Sequence, residues 1–254
     1  MNCYLFKSFK LCIRKLYRII HLTKTGIQLK IDPEKNNQSG LTAHETQESL
    51  NNMSNQYDLD IKNHYDQVAA NDKNSSTSTM ADLFIRESET KFIINQINKY
   101  SQNQDNNELT VLDVGCGNGY TLEILSDEFP NFNLHGLEFT DSLREIANKR
   151  FGAGEIQVAK GDIRDRDSLP KDAVDVLLCQ RVLINLLAPE DQERALNNLI
   201  ELVNPGGLLL FIECFQSGLE NLNSARKEFE LDELPPAHHN LYLKDQFFQH
   251  DLLT

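Results

Sequence analysis

The stretch Val111-Leu112-Asp113-Val114-Gly115-Cys116-Gly117-Asn118-Gly119-Tyr120 constrains this chain more than any other. An aliphatic run that ends in glycines at alternate positions reads as a buried strand turning sharply into a helix that starts near Tyr120. Glycine at 115, 117 and 119 lets the backbone approach a ligand closely and take conformations that a Cβ forbids. Nineteen residues after Gly119, the run Asn133-Leu134-His135-Gly136-Leu137-Glu138 reads as a second strand ending on an acid. A carboxylate at that place can accept both hydroxyls of a ribose.

From Leu109 onward, β-rich runs near 109–114, 133–138, 155–160, 174–180 and 207–213 alternate with helical stretches near 119–129, 141–151 and 189–203. Such alternation predicts an α/β fold: a Rossmann-like, doubly wound, mostly parallel sheet with helices on both faces. Ligands then bind at the carboxyl ends of the strands, where the strand order reverses. Asp113, at the end of the first of these strands, can attract an ammonium or orient the loop. Gly161-Asp162-Ile163 follows the third strand and puts a carboxylate where an adenine amino group would lie, and Asn204-Pro205-Gly206-Gly207 predicts a tight turn before the fifth. The loop's spelling chooses between cofactors. A nicotinamide dinucleotide prefers G-x-G-x-x-G with a helix N-terminus against the pyrophosphate, whereas here the order is G-x-G-x-G and Tyr120 stands where the last glycine belongs.

Together, VLDVGCGNGY, the acid Glu138, GDI at 161–163 and LVNPGGLLLFIE at 202–213 resemble the ordered motifs of the class I S-adenosylmethionine-dependent methyltransferases, over about residues 109–213. The resemblance implies S-adenosyl-L-methionine as cofactor and a seven-stranded sheet. Asp113, Gly115, Cys116 and Gly117 would surround the methionine moiety, and Gly119 would complete the cofactor-binding loop. Glu138 would hold the ribose, Phe139 would lie along the adenine, and Asp162 and Ile163 would meet its edge. Gln180, after the fourth strand in the Cys179-Gln180-Arg181 run, would face both cofactor and acceptor. Weaker likenesses at 75–89, 180–186, 218–226 and 239–243 are similar to a bacterial subgroup found beside saccharide and surface-polymer genes. They imply a sugar-like or small acidic metabolite as acceptor.

A hydroxyl acceptor needs a base to take its proton, and histidine is the usual choice near neutral pH. His239 is the leading candidate, ahead of His238 and His64, and Arg181 is placed to meet an anionic acceptor or to pair with a nearby carboxylate. Arg86, Glu87 and Glu89 precede the core on a helix at 83–100 and either close over the cofactor or face solvent. Cys116 has no neighbouring His or Lys in sequence and reads as a packing residue. No metal is expected, because the five cysteines show no C-x-x-C spacing. Their odd number also speaks against a disulfide framework and for a reducing, cytoplasmic setting.

The net charge of −13 argues against nucleic acid as a partner. It hides an asymmetry: residues 1–31 hold seven Lys and Arg and no acid. Bases at 7, 10, 14 and 18 with apolar residues between them read as a basic amphipathic arm, packed on its own domain or a partner, or held peripherally at an anionic membrane. Residues 32–60 are polar and read as a flexible linker, and 61–254 as the methyltransferase domain. Only about 40 residues follow Glu213. The sheet is therefore expected to stop near five strands with its C-terminal hairpin incomplete, leaving an edge for a dimer mate or partner. The leading reading is methyl transfer to a small-molecule acceptor; the alternatives are a non-catalytic cofactor-binding scaffold at a membrane surface and a NAD-dependent oxidoreductase.

Overall fold

The structure is a computed structural model and describes residues 27–30, 47–72, 75, 82–105, 108–152, 154 and 156–249. The predicted basic helix within residues 3–22 lies outside the described residues. Strands β1 (Ile27–Lys30), β2 (Thr110–Val114), β3 (Asn133–Glu138), β4 (Gln157–Lys160), β5 (Val174–Gln180) and β6 (Val203–Ile212) form a sheet in the order β1-β6-β5-β2-β3-β4. Strands β2 to β6 run parallel to one another, and β1 is antiparallel to β6. The chain winds outward from β2 through β3 to β4, then returns to the other side of β2 as β5. The order thus reverses between β2 and β5, and a crevice opens at their carboxyl ends.

Six described helices flank the sheet: α1 (Gln47–Asp72), α2 (Leu83–Ser101), α3 (Tyr120–Glu128), α4 (Asp141–Phe151), α5 (Pro189–Ile200) and α6 (Gln216–Glu228). Strand alternation sends side chains to opposite faces, which explains the near-continuous apolar runs. Val176 and Leu178 of β5 pack with Ile93 and Ile97 of α2 and Leu122 of α3. Their neighbours Leu177 and Cys179 pack with Leu196 and Leu199 of α5 on the other face.

Three boundaries differ from expectation. Helix α1 begins inside the stretch read as a flexible linker. Its Ile61 and Ala69 are buried, and side chains at 58, 65 and 66 bond to the core, so tertiary contacts supply what its polar composition lacks. The predicted turn at 204–207 lies within β6, not ahead of it. Val203 already pairs with Val174 and Leu208 with Val176, so the Pro-Gly-Gly segment is a bulge in the strand. The β6 edge expected to await a partner is instead paired with β1, from Ile27 opposite Phe211 to Lys30 opposite Leu208.

After Glu213 the chain forms α6 and then an irregular segment, with no hairpin among the described residues. Leu243 and Phe248 of that segment bury against the α5 face, with Phe248 4.7 Å from the Phe211 ring.

Candidate functional site

The crevice between β2 and β5 is a cleft of about 1030 Å³, roofed by Asp58, Ile61 and Tyr65 of α1. Those three residues recur at helical spacing and so share one face. The floor is the glycine turn. Gly115, Gly117 and Gly119 all take positive φ (66°, 59° and 80°), which is why the turn needs glycine. At Gly115 a Cβ would come within 2.3 Å of Val182, so the β2 and β5 turns interlock only without one. Gly119 does not line the cleft. It starts α3, and a Cβ there would meet the Phe151 ring at 2.8 Å, so close helix packing requires glycine there. Cys116 lines the cleft, but its sulfur lies over Gly136 and burial pushes its thiol up, as suits a packing residue.

Glu138 is buried and caps this turn. Its two carboxylate oxygens accept hydrogen bonds from the Gly117 N–H at 2.9 Å and the Thr140 N–H at 2.7 Å. Burial raises its carboxyl and these N–H groups pull it back. Asp113, 2 % exposed, is raised to about 8 by burial and then by Glu138, with Arg86 offsetting part of the shift. Phe139, Asp162 and Ile163 line the same end of the cleft. The Asp162 carboxylate, expected to meet an adenine amino group, is gripped by Arg164, which also makes paired bonds of 2.8 and 2.9 Å to Asp58. Burial works against ionised Asp162, but Arg164 wins and its carboxyl is lowered.

At the β5 end, Gln180 donates to Glu89 at 2.8 Å and accepts from Thr121 at 3.3 Å, while Arg181 pairs with the same Glu89 oxygen. Helix α2 explains the assembly. Asp82 caps its start by accepting from the Ile85 N–H, and a stripe from Arg86 and Glu89 to Ile93 and Ile97 faces inward. Its first half is polar because it meets the cleft. Arg86 is 3 % exposed, rests 5.1 Å from the Tyr120 ring and is lowered to about 10 by burial and by Arg181. Glu87 points outward to Lys91 and takes no part.

His239 is not brought to the cleft. It stacks on His64 at 4.1 Å, with His238 edge-on at 5.0 Å, and burial and its two histidine neighbours lower it to about 4. Among the described residues lining the cleft there is no histidine, and no group of three or more described His, Cys, Asp or Glu residues is arranged to hold a metal.

Several site residues escaped the sequence reading. Tyr65 lines the cleft, and its hydroxyl accepts from Asn185 at 2.9 Å. Glu213, 3 % exposed, accepts from the N–H groups of Val182, Leu183 and Ile184 at 2.9, 2.9 and 3.3 Å. It thereby fixes the turn in which Arg181 takes a φ of 56°. The available signal was an acid closing an otherwise apolar strand, Leu208-Leu209-Leu210-Phe211-Ile212-Glu213.

A doubly wound sheet with a glycine turn, a buried acid on the next strand and a roofed cleft at the switch point defines a nucleoside-binding α/β enzyme class. Residues 111–207 match the family model described as a methyltransferase domain. Together with the fold, this match supports a class I S-adenosylmethionine-dependent methyltransferase domain over those residues, with S-adenosylmethionine as its cofactor. The chain is 26% identical to a malonyl-[acyl-carrier protein] O-methyltransferase of Bacillus anthracis, over 56% of this chain and 52% of that protein. It is also 26% identical to the tRNA N(3)-methylcytidine methyltransferase trm140 of Schizosaccharomyces pombe, over 48% and 42%. The chain spans about a quarter to a half of the curated relatives it matches. Among solved structures, the N-methyltransferase NodS from Bradyrhizobium japonicum in complex with S-adenosyl-l-homocysteine shares the fold, with TM-score 0.50 and 20% identity over 66% of this chain and 78% of that one.

Proposed function

We propose that this protein transfers a methyl group from S-adenosylmethionine to a small-molecule acceptor in the cleft beneath α1. The observation that carries the reading is the Gly115–Gly119 turn capped by Glu138, a cradle that side chains at 115 or 117 would strain and whose buried acid lines the cleft where a ribose diol would meet it. When bound, S-adenosylmethionine supplies a methyl group on a sulfonium, an electrophile open to in-line displacement. The chain's own residues then bind and orient. Glu138 takes the ribose, Phe139 and Ile163 flank the adenine, and Asp113 meets the ammonium. Helix α1, latched by the Asp58–Arg164 pair, keeps water from the reacting end.

The acceptor enters beside Tyr65, Arg86, Arg181 and Asn185, all of which line the cleft. A net charge of −13 supports a small molecule over RNA. Titration calorimetry with S-adenosylhomocysteine tests the cofactor half. One-site binding by the parent protein, with loss of about tenfold or more in Glu138→Ala, is expected. Binding of NAD in its place would instead revive an oxidoreductase.

A further inference from the structure

We propose that the acceptor is a carboxylate, held by Arg86 and Arg181 while one of its oxygens takes the methyl group. This rests on the methyltransferase reading above and adds the acceptor's chemistry to it. Two guanidinium side chains line the same end of the cleft, at the tip of β5 and on the facing turn of α2. Both are built in. Arg86 is buried over the Tyr120 ring, and Arg181, which gives one guanidinium nitrogen to Glu89, sits in a left-handed conformation that the three N–H bonds to Glu213 hold in place. A non-glycine residue in that conformation costs roughly 1 kcal/mol or more, which points from geometry to use. Planar guanidinium groups match a carboxylate's two oxygens, and they bind it best where water is scarce.

Proton balance points the same way. A hydroxyl or an ammonium acceptor must lose a proton, yet the described cleft-lining residues offer no histidine. Burial raises the Tyr65 phenol and the Cys116 thiol, so neither is a thiolate or phenolate at neutral pH. Asp58 and Asp162 are taken up by Arg164, Glu89 by Gln180 and Arg181, and Glu138 by the glycine turn. Asp113, 2 % exposed beneath that turn, is the group assigned above to the donor's ammonium. A carboxylate needs no base. Its oxygen forms the new bond to the methyl carbon, the carbon–sulfur bond breaks with its electron pair left on sulfur, and a methyl ester and S-adenosylhomocysteine result. The two opposite charges cancel and no proton moves.

The full chain saturated with S-adenosylhomocysteine is titrated by calorimetry with malonate and succinate, and in parallel with malonamide and succinamide. The dicarboxylates are expected to bind about tenfold or more tighter than the diamides, and Arg181→Gln to abolish that preference while leaving S-adenosylhomocysteine affinity within about twofold. Arg181→Lys, which keeps the charge on a different frame, should retain part of the preference; because Lys also keeps the pair with Glu89, a structural role shows instead as a Tm lowered in Arg181→Gln with the acid-over-amide preference intact. Equal binding of acids and amides, no binding of either to the loaded protein, or a preference untouched by Arg181→Gln overturns the inference and leaves the methyltransferase reading standing. Failure of S-adenosylhomocysteine itself to bind overturns both.

Discussion

Asp113 and Glu213 are carboxyls without a formal countercharge bonded to them, and burial raises them to about 8 and about 7. An acid with a higher pKa folded than unfolded binds more protons in the folded state. Stability therefore falls as pH rises from about 4 toward those values, by up to ~1.4 kcal/mol per pH unit for each such group. Above pH 6.5 the histidines no longer oppose the trend, so the ligand-free Tm should drop between pH 6.5 and 8, and Asp113→Asn should flatten the slope. A Tm that rises across that interval would contradict the assignment. The same logic makes a cationic ligand bind more tightly as pH rises, with proton release readable by calorimetry in buffers of different ionisation enthalpy. At Gly115, the 2.3 Å approach to Val182 and the φ of 66° predict that Gly115→Ala loses about 1–3 kcal/mol of stability and most of the cofactor affinity, measured by thermal melts and titration.

Helix α1 shows where sequence reasoning stops. The strand–glycine–helix unit was legible because its chemistry is local: β3, β5 and α4 fall where their periodicity predicts, and Asp113, Gly115, Glu138, Ile163 and Gln180 line the cleft. The roof was not legible. Asn, Gln and Ser dominate its first half, and its stability comes from Asp58, Tyr65 and Asp66 reaching residues 76 to 120 positions away. His239 failed for the converse reason: a histidine beside two prolines carries no local mark of what it packs on, and it packs on His64. If α1 is latched as described, Asp58→Ala removes two charged hydrogen bonds of about 1.5–3 kcal/mol each at most, less for partial exposure. Hydrogen exchange in residues 58–69 should then accelerate and S-adenosylhomocysteine should dissociate faster. Unchanged exchange would show that the latch does not hold the helix.

At the scale of the whole molecule, the sheet is closed at its β6 edge by a strand from the N-terminal side, in place of the hairpin that the family resemblance implies. A parallel sheet with a bare edge strand invites pairing between chains. Gln28→Pro combined with Leu29→Pro removes N–H donors from β1 and should produce self-association by light scattering and a lower Tm; a monodisperse protein of unchanged Tm would mean that β1 contributes little. Among the described residues no helix is long and apolar enough to cross a membrane. The central claim is that the turn from Gly115 to Gly119 and Glu138 cradle an adenosyl group beneath α1. A crystal structure with S-adenosylhomocysteine tests it most directly. The account predicts both ribose hydroxyls within hydrogen-bond distance of the Glu138 carboxylate, the adenine against Phe139 and Ile163, and the sulfur opening toward Arg86 and Arg181. A nucleoside bound elsewhere, or one whose ribose does not touch Glu138, would contradict it.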